Sequence, residues 1–333
     1  MIPGSCQVGS ERQARGNDGT SREQTVHMPH VPCRMEYPVE ENPFLSLGVD
    51  LTYRCNMNCT YCYNPIRSFA DMDLSYFEEV CRRLPRYVQF KFLGGEPTLH
   101  PDLMGFVRAA RRCKHEVTIL SNGRRCTDPA FVKALANLNL DARFILGLSL
   151  DGGASRDDVY RRINNEDCLH WKMEALETLD KHFPGRVELS AIIVRGLNEG
   201  VVPELLQLAG RYHRIVRYIH FRSAAEVGRW AKTAPYTLEE LKEIIRPHFT
   251  EEQFKPQCLW EINCARGQGC GACYRFRPTA RLQISLVEFA TPRAASCPKR
   301  GKLVDREFRV QSFFQNIMLN SETLMGGISG RSR

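Results

Sequence analysis

Residues 45–62 read LSLGVDLTYRCNMNCTYC, and this stretch decides the fold. Its first part, 45–52, is an apolar strand run, and Cys55, Cys59 and Cys62 follow directly within one short loop. By spacing alone, such a trio has two readings. Three cysteines bind three corners of a [4Fe–4S] cubane and leave the fourth iron open to a chelating ligand. A zinc site would need a fourth ligand, which the neighbouring residues do not supply.

Outward from this loop, strand runs alternate with helical periods. Further strands are expected at 88–93, 116–120, 143–150, 187–194 and 215–222, and a later strand-like stretch at Leu282–Phe289. Between the first two strands, Phe77, Val80, Cys81 and Leu84 recur at the spacing of one helix face, with Ser75 and Glu78 as a capping-box pair. Leu103, Phe106, Val107 and Ala110 repeat the pattern, and Asp128-Pro129 reads as an N-cap and first-turn proline. Helices are also expected over 168–182, 201–212 and 237–248. Six strand–helix repeats imply an α/β protein with a parallel sheet and right-handed crossovers, doubly wound or closing into a barrel. Either way, the site belongs at the carboxyl ends of the strands.

A second motif joins the first at that end. Gly94-Gly95-Glu96-Pro97 follows strand 88–93, where two glycines allow close backbone approach to a ligand. Together with the cysteine trio, and with Tyr61 in the aromatic position before the last cysteine, it resembles the radical S-adenosylmethionine (SAM) superfamily. Ser121-Asn122-Gly123, Ser149-Leu150-Asp151-Gly152 and Asn198 extend the resemblance over roughly 45–222. The resemblance implies a partial (β/α)6 TIM-like barrel. It implies that Cys55, Cys59 and Cys62 hold a [4Fe–4S] cluster whose open iron binds the amino and carboxylate groups of SAM. Gly94, Gly95 and Glu96 would line the amino end of the methionine. Tyr61, Ser121, Asn122, Ser149, Asp151, Ser190 and Asn198 are the candidates around adenosine. One electron from the cluster, delivered by a donor such as flavodoxin or ferredoxin, would cleave SAM to a 5′-deoxyadenosyl radical that removes hydrogen from a C–H bond.

The remaining cysteines cluster late. Of fourteen in the chain, Cys258, Cys264, Cys270, Cys273 and Cys297 gather near Leu282–Phe289. They resemble the SPASM and shorter twitch extensions that bind auxiliary clusters, although the glycine expected before the final cysteine is missing. An auxiliary [4Fe–4S] cluster, a structural zinc and unliganded thiols all remain open. Cys81, Cys113, Cys126 and Cys168 read as small buried hydrophobes. The expected domains are a disordered leader at 1–40, a core barrel at 41–235, a cysteine-rich extension at 236–320 and a flexible tail at 321–333.

Composition bounds the function. The chain has 333 residues, 43% apolar and 25% charged, which suits a globular protein with a sizeable core. No apolar run approaches the roughly 18 residues of a membrane span, and the start lacks a secretory apolar core, so a cytoplasmic protein without a membrane partner is expected. The charge of +8 comes largely from paired arginines without interleaved aromatics, which reads as a solvated surface or a preference for anionic substrates rather than a nucleic-acid site.

Period-two alternation puts Glu188 with Ser190, and Tyr218 with His220 and Arg222, on shared strand faces. If those faces line the lumen, Glu188 is a candidate base for a substrate hydroxyl; otherwise they pair among themselves. The substrate expected is a small polar metabolite of natural-product or antibiotic biosynthesis. The layout resembles decarboxylases of cytosine-nucleoside pathways that process a glucuronate sugar. The alternatives are an aminoglycoside dehydrogenase or epimerase, a maturase of ribosomal peptides, and a non-catalytic iron–sulfur or zinc module.

Overall fold

The computed structural model describes residues 46–62, 71–138, 141–224, 234–263, 269–289 and 310–312. The leader and the tail expected at the two ends lie outside these residues. Strands β1 (Ser46–Thr52), β2 (Gln89–Gly94), β3 (Glu116–Ser121), β4 (Phe144–Ser149), β5 (Arg186–Ile193) and β6 (Val216–Ser223) pair in sequence order, all parallel. The connecting helices are α1 (Leu74–Arg83), α2 (Leu103–Arg112), α3 (Pro129–Ala136), α4 (Asp157–Asn164), α5 (Leu169–His182) and α6 (Val201–Arg211). This is the mostly parallel α/β sheet of the expected partial barrel.

The alternation in each strand explains why the sheet has two unlike faces. Leu47, Val49, Leu51, Phe90, Phe92, Val117, Ile119, Phe144, Leu146, Leu148, Val187, Leu189, Ile219 and Phe221 are buried in one continuous core with the helices. Phe77 of α1 and Phe106 of α2 meet Phe90 and Phe92 there at ring-centroid distances of 5.0–6.3 Å. Burying one such ring contributes about 2–3 kcal/mol. The intervening residues, Lys91, Glu188, Ser190, His220 and Arg222 among them, turn the other way and form the lumen.

Caps fix the helix starts. Asp128 accepts the amide of Ala130 ahead of Pro129, as the sequence suggests. Helix α1 differs: Asp73, not Ser75, is its N-cap, accepting from the amide of Tyr76, while the Ser75 hydroxyl also donates to Asp73. A carboxylate two residues earlier outcompetes the hydroxyl for the free amides of the first turn. The capping box in α7 (Leu238–Ile245) is a real one, with Thr237 and Glu240 serving each other's backbone.

The chain beyond α7 extends the same sheet. Strands β7 (Pro256–Asn263), β8 (Gly269–Phe276) and β9 (Gln283–Phe289) follow, with β9 parallel to β6 and β8 and β7 antiparallel outside it. At the other edge, β10 (Val310–Ser312) pairs antiparallel with β1. A continuous row thus crosses five strands, pairing Ser149 with Ser190, Ser190 with His220, His220 with Ser285, and Ser285 with Arg275. Among the described residues no helix is long and apolar enough to cross a membrane.

Candidate active site

The loop Cys55–Cys62 leaves β1 at the carboxyl end of the sheet, and neighbouring elements hold it by its backbone. Gly95 and Glu96 donate their amides to the carbonyls of Thr52 and Arg54, each at 2.8 Å. Asn122 Nδ2 reaches Asn56 Oδ1 at 2.8 Å, and Arg124 donates to the Asn56 carbonyl at 3.0 Å. The last turn of α4 takes the amide of Thr60 on the Ile163 carbonyl at 2.9 Å, and Asn164 Nδ2 lies 3.4 Å from Cys59 Sγ.

The two glycines of 94–97 serve this docking. A Cβ at Gly94 would lie 2.2 Å from the Thr52 oxygen, and one at Gly95 2.2 Å from the Arg54 oxygen; Gly94 also has φ of +129°. The backbone they let close is that of the cysteine loop's root.

The Glu96 side chain is turned inward. Its buried carboxylate accepts from the Thr98 amide and hydroxyl, from Ser121 Oγ at 2.7 Å and from the Asn122 amide at 2.8 Å. It therefore pins the end of β2 to the end of β3. Asp151 and Asn198 make the analogous brace between β4 and β5. Asp151 accepts from the Ile192 amide at 2.8 Å, while Asn198 Nδ2 donates to the carbonyls of Asp151 and Ile192 and its Oδ1 accepts from Val194. These side chains shape the rim. Ser149 stands half-buried at the end of β4, Tyr61 packs beside Val159, Ile163 and Val194, and Ser190 is buried with an Oγ that has no hydrogen-bond partner.

Sequence reasoning missed one residue here. Lys172 is only 1% exposed. Its ammonium donates to the carbonyls of Asn122 at 3.0 Å and Ser149 at 2.6 Å, so two of its three protons are used. It also lies over the rings of Trp171 and Tyr160, at 4.8 and 5.4 Å. Burial pushes its pKa down, while the charge of Asp151 and the thiols of Cys168 and Cys59 oppose that shift. The signal was its place in the apolar repeat of α5, at the head of Ala175, Leu176 and Leu179, where a lysine is out of pattern.

Deeper in the lumen lies a charged cluster. Glu188 Oε1 is 3.8 Å from His220 Nδ1, and both side chains are 12% exposed. Burial alone would raise the Glu188 carboxyl, but His220, Lys91 and Arg222 outweigh it and hold it at about 2. Burial pushes His220 down to about 4, against the pull of Glu188, so the imidazole is neutral near pH 7. Glu188 is then kept ionised there chiefly by Lys91 and Arg222. Lys91 also faces Arg275 and Cys273 from β8, and Glu116 faces Lys91 and Arg275.

The late cysteines are only partly visible. Cys273 is buried, and β8 sets it opposite Val287 on one side and Trp260 on the other. Cys258 and Cys270 lie on β7 and β8 in backbone position, their side chains outside the described residues, as are Cys264 and Cys297 entirely. Cys81, Cys126 and Cys168 are buried and Cys113 is half-buried, none of them in a disulfide.

These features define an α/β barrel enzyme with a cysteine loop at its open end. Residues 49–209, just under half of the chain, match the model of the radical SAM superfamily. The chain is 27% identical over 272 residues to a GTP 3′,8-cyclase of Streptomyces coelicolor, covering 74% of this chain and 78% of that protein. It is 26% identical over 235 residues to a 7,8-dihydro-6-hydroxymethylpterin dimethyltransferase of Methanocaldococcus jannaschii, covering 66% of this chain and 46% of that one. Among solved structures, SuiB of Streptococcus suis bound to S-adenosylmethionine superposes with a TM-score of 0.51 at 16% identity, over 61% of this chain and 46% of that chain. That likeness is one of fold.

The superfamily's cofactors are a [4Fe–4S] cluster and SAM, and the loop's chemistry fits them. Cys55, Cys59 and Cys62 are half-buried thiols on one short loop, none of them in a disulfide. Burial is the main force raising the Cys59 thiol, and the neighbouring Cys62 adds to it. Among the described residues no three His, Cys, Asp or Glu side chains are already drawn into a closed metal set, the trio included. The open coordination of a three-thiolate cubane asks only for three such thiols beside a polar ligand pocket.

Proposed function

We propose that this radical SAM enzyme takes a hydrogen atom from a sugar carbon of an anionic nucleoside or nucleotide held in the barrel lumen. The observation that carries the reading is the interior cluster in which Lys91, Arg222 and Arg275 surround Glu188 and Glu116. Cations buried this far from water favour a ligand that brings negative charge. The name of the relative from Streptomyces coelicolor is consistent, since GTP is such a molecule. The expected decarboxylation of a glucuronate-bearing nucleoside belongs to the same chemical class, and the lumen's cations would also serve its carboxylate. The relatives' names add weight to a nucleotide and none to decarboxylation.

In this reading Cys55, Cys59 and Cys62 hold the cluster, and Lys172, with its remaining proton, faces the carboxylate of SAM. When bound, the cluster and SAM together supply a 5′-deoxyadenosyl radical for hydrogen abstraction. The protein's part is placement: the Glu96 brace and the Asp151–Asn198 brace keep the ends of β2 to β5 in fixed register around the ligand. A small electron carrier of the flavodoxin or ferredoxin kind, in a reducing cytoplasm, completes the proposal, with an auxiliary cluster at the late cysteines.

The test is anaerobic turnover of the reconstituted chain with SAM and dithionite, using GTP and UDP-glucuronic acid deuterated on their sugars as probes. The reading expects one probe to raise 5′-deoxyadenosine at least about tenfold over SAM alone and to place deuterium in it. Release unchanged by both probes would overturn the substrate assignment.

A further inference from the structure

The row that crosses the lumen contains three buried polar atoms without a hydrogen-bond partner, Ser190 Oγ, His220 Nε2 and Arg275 Nε, the first two on adjacent strands. Ser190 is 2% exposed, and its Oγ has no hydrogen-bond partner; neither has Nε2 of His220. The two residues are register partners on β5 and β6. A buried hydroxyl or imidazole nitrogen left unsatisfied is destabilising, and a ligand hydroxyl bound by both would remove that penalty. The other ring nitrogen of His220 faces Glu188 Oε1 at 3.8 Å. Glu188 itself is one residue-pair below Ser190 on the same face of β5, opposite Tyr218. The arrangement is a carboxylate beside one nitrogen of an imidazole whose other nitrogen is unsatisfied, with an unsatisfied serine hydroxyl at the register position next to it.

We propose that His220 takes the proton of the substrate hydroxyl held by Ser190, with Glu188 as the positioning residue that fixes the ring. The inference rests on the sugar-substrate reading above and adds the residue that handles the proton. Once a carbinol carbon has lost its hydrogen atom, its hydroxyl becomes much more acidic. The O–H bond then breaks heterolytically: its electron pair stays on oxygen, the proton goes to Nε2, and no electron changes hands. The products are an imidazolium and a ketyl radical anion. The imidazolium is balanced by Glu188, which is already ionised. The charged groups facing His220 are Glu188 on β5, Lys91 on β2 and Arg222 on its own strand, with Arg275 on β8 reached through Ser285. Burial first, then Lys91 and Arg222, keep the imidazole neutral before the step, and the cations stabilise the oxyanion after it.

The experiment has two arms. In the first, the full chain labelled with 15N-histidine is examined by NMR at pH 7. The proposal expects His220, assigned with His220→Gln, to be neutral with its proton on Nδ1. A proton on Nε2, or an imidazolium, overturns it whatever the substrate proves to be. In the second arm, reconstituted variants with wild-type iron content are assayed with whichever of GTP or UDP-glucuronic acid stimulates the wild type. His220→Gln is expected to lower kcat about 100-fold, and Ser190→Ala to act mainly on KM. Glu188→Gln is expected to shift the acid limb of the pH profile downward, because removing the carboxylate withdraws support from the imidazolium. An unmoved limb or an unchanged kcat in His220→Gln overturns the assignment. If neither probe stimulates, the substrate reading fails and the NMR arm alone decides His220.

Discussion

Replacing Gly95 by alanine tests how the cysteine loop is docked. The added Cβ would lie 2.2 Å from the Arg54 oxygen, 2.6 Å from its carbonyl carbon and 2.8 Å from the Tyr53 oxygen. All three are backbone atoms, so no side chain can rotate away. Restoring ordinary contact requires the root of the loop to retreat by about 1 Å, and overpacking of that kind costs about 1–3 kcal/mol. The same retreat stretches the hydrogen bonds from Gly95 to Thr52 and from Glu96 to Arg54, each 2.8 Å long, at about 1 kcal/mol apiece. The expected loss is about 3–5 kcal/mol, a large share of a typical domain's stability. Urea titration of the apo chain reads the stability, and iron per chain after anaerobic reconstitution reads the loop. Gly210→Ala is the control: it sits inside α6 with nothing within 4 Å of its Cβ, and a gain of about 0.5–1 kcal/mol is expected. A Gly95→Ala chain within about 1 kcal/mol of wild type, with full iron, would refute the docking argument.

Three further outcomes follow from the site. Lys172→Met removes the donor shared by the Asn122 and Ser149 carbonyls; SAM affinity measured by calorimetry on the reconstituted chain should fall at least about tenfold, and unchanged affinity would remove Lys172 from the cofactor site. Stability should fall in acid. His220 is held at about 4, so between its unfolded value near 6.5 and about 4 the unfolded chain binds the extra proton, and folding weakens by about 1.4 kcal/mol per pH unit as pH drops. Glu188, held at about 2, continues the loss below its unfolded value near 4.5, whereas His220→Gln should flatten the upper window in urea titrations. If an auxiliary cluster occupies the late cysteines, a Cys55→Ala/Cys59→Ala/Cys62→Ala chain should retain about four irons after reconstitution, and a residue near zero would assign those cysteines to zinc or free thiols.

The strands were legible as short apolar runs, continuous in β4 (FILGLS) and alternating with polar residues in β5, where Val187, Leu189 and Ala191 stand against Glu188 and Ser190. The parallel order followed from the helices between them. Less legible was anything settled by spatial neighbours. The α1 cap moved to Asp73 because nothing local ranks a carboxylate against the serine two residues on. Strand β8 lacked the alternation, since two glycines and two cysteines fill the first five positions of GCGACYRF. At the site, motif residues were found at the right end of the barrel, but their division of labour was not visible. Glu96, Asp151 and Asn198 spend their side chains on each other's strands, and this depends on register across β2 to β5. Lys172 announced itself only as a cation in an apolar repeat, and the acidity of Glu188 depends on Lys91, almost a hundred residues earlier.

The central claim is that the Cys55–Cys62 loop supports radical chemistry with SAM. The most direct measurement is 5′-deoxyadenosine released by the anaerobically reconstituted chain with SAM and dithionite, beside the chain lacking the three cysteines. The account predicts release from the wild type and none above background from the variant. No release from an iron-loaded wild type, or equal release from both, would contradict it.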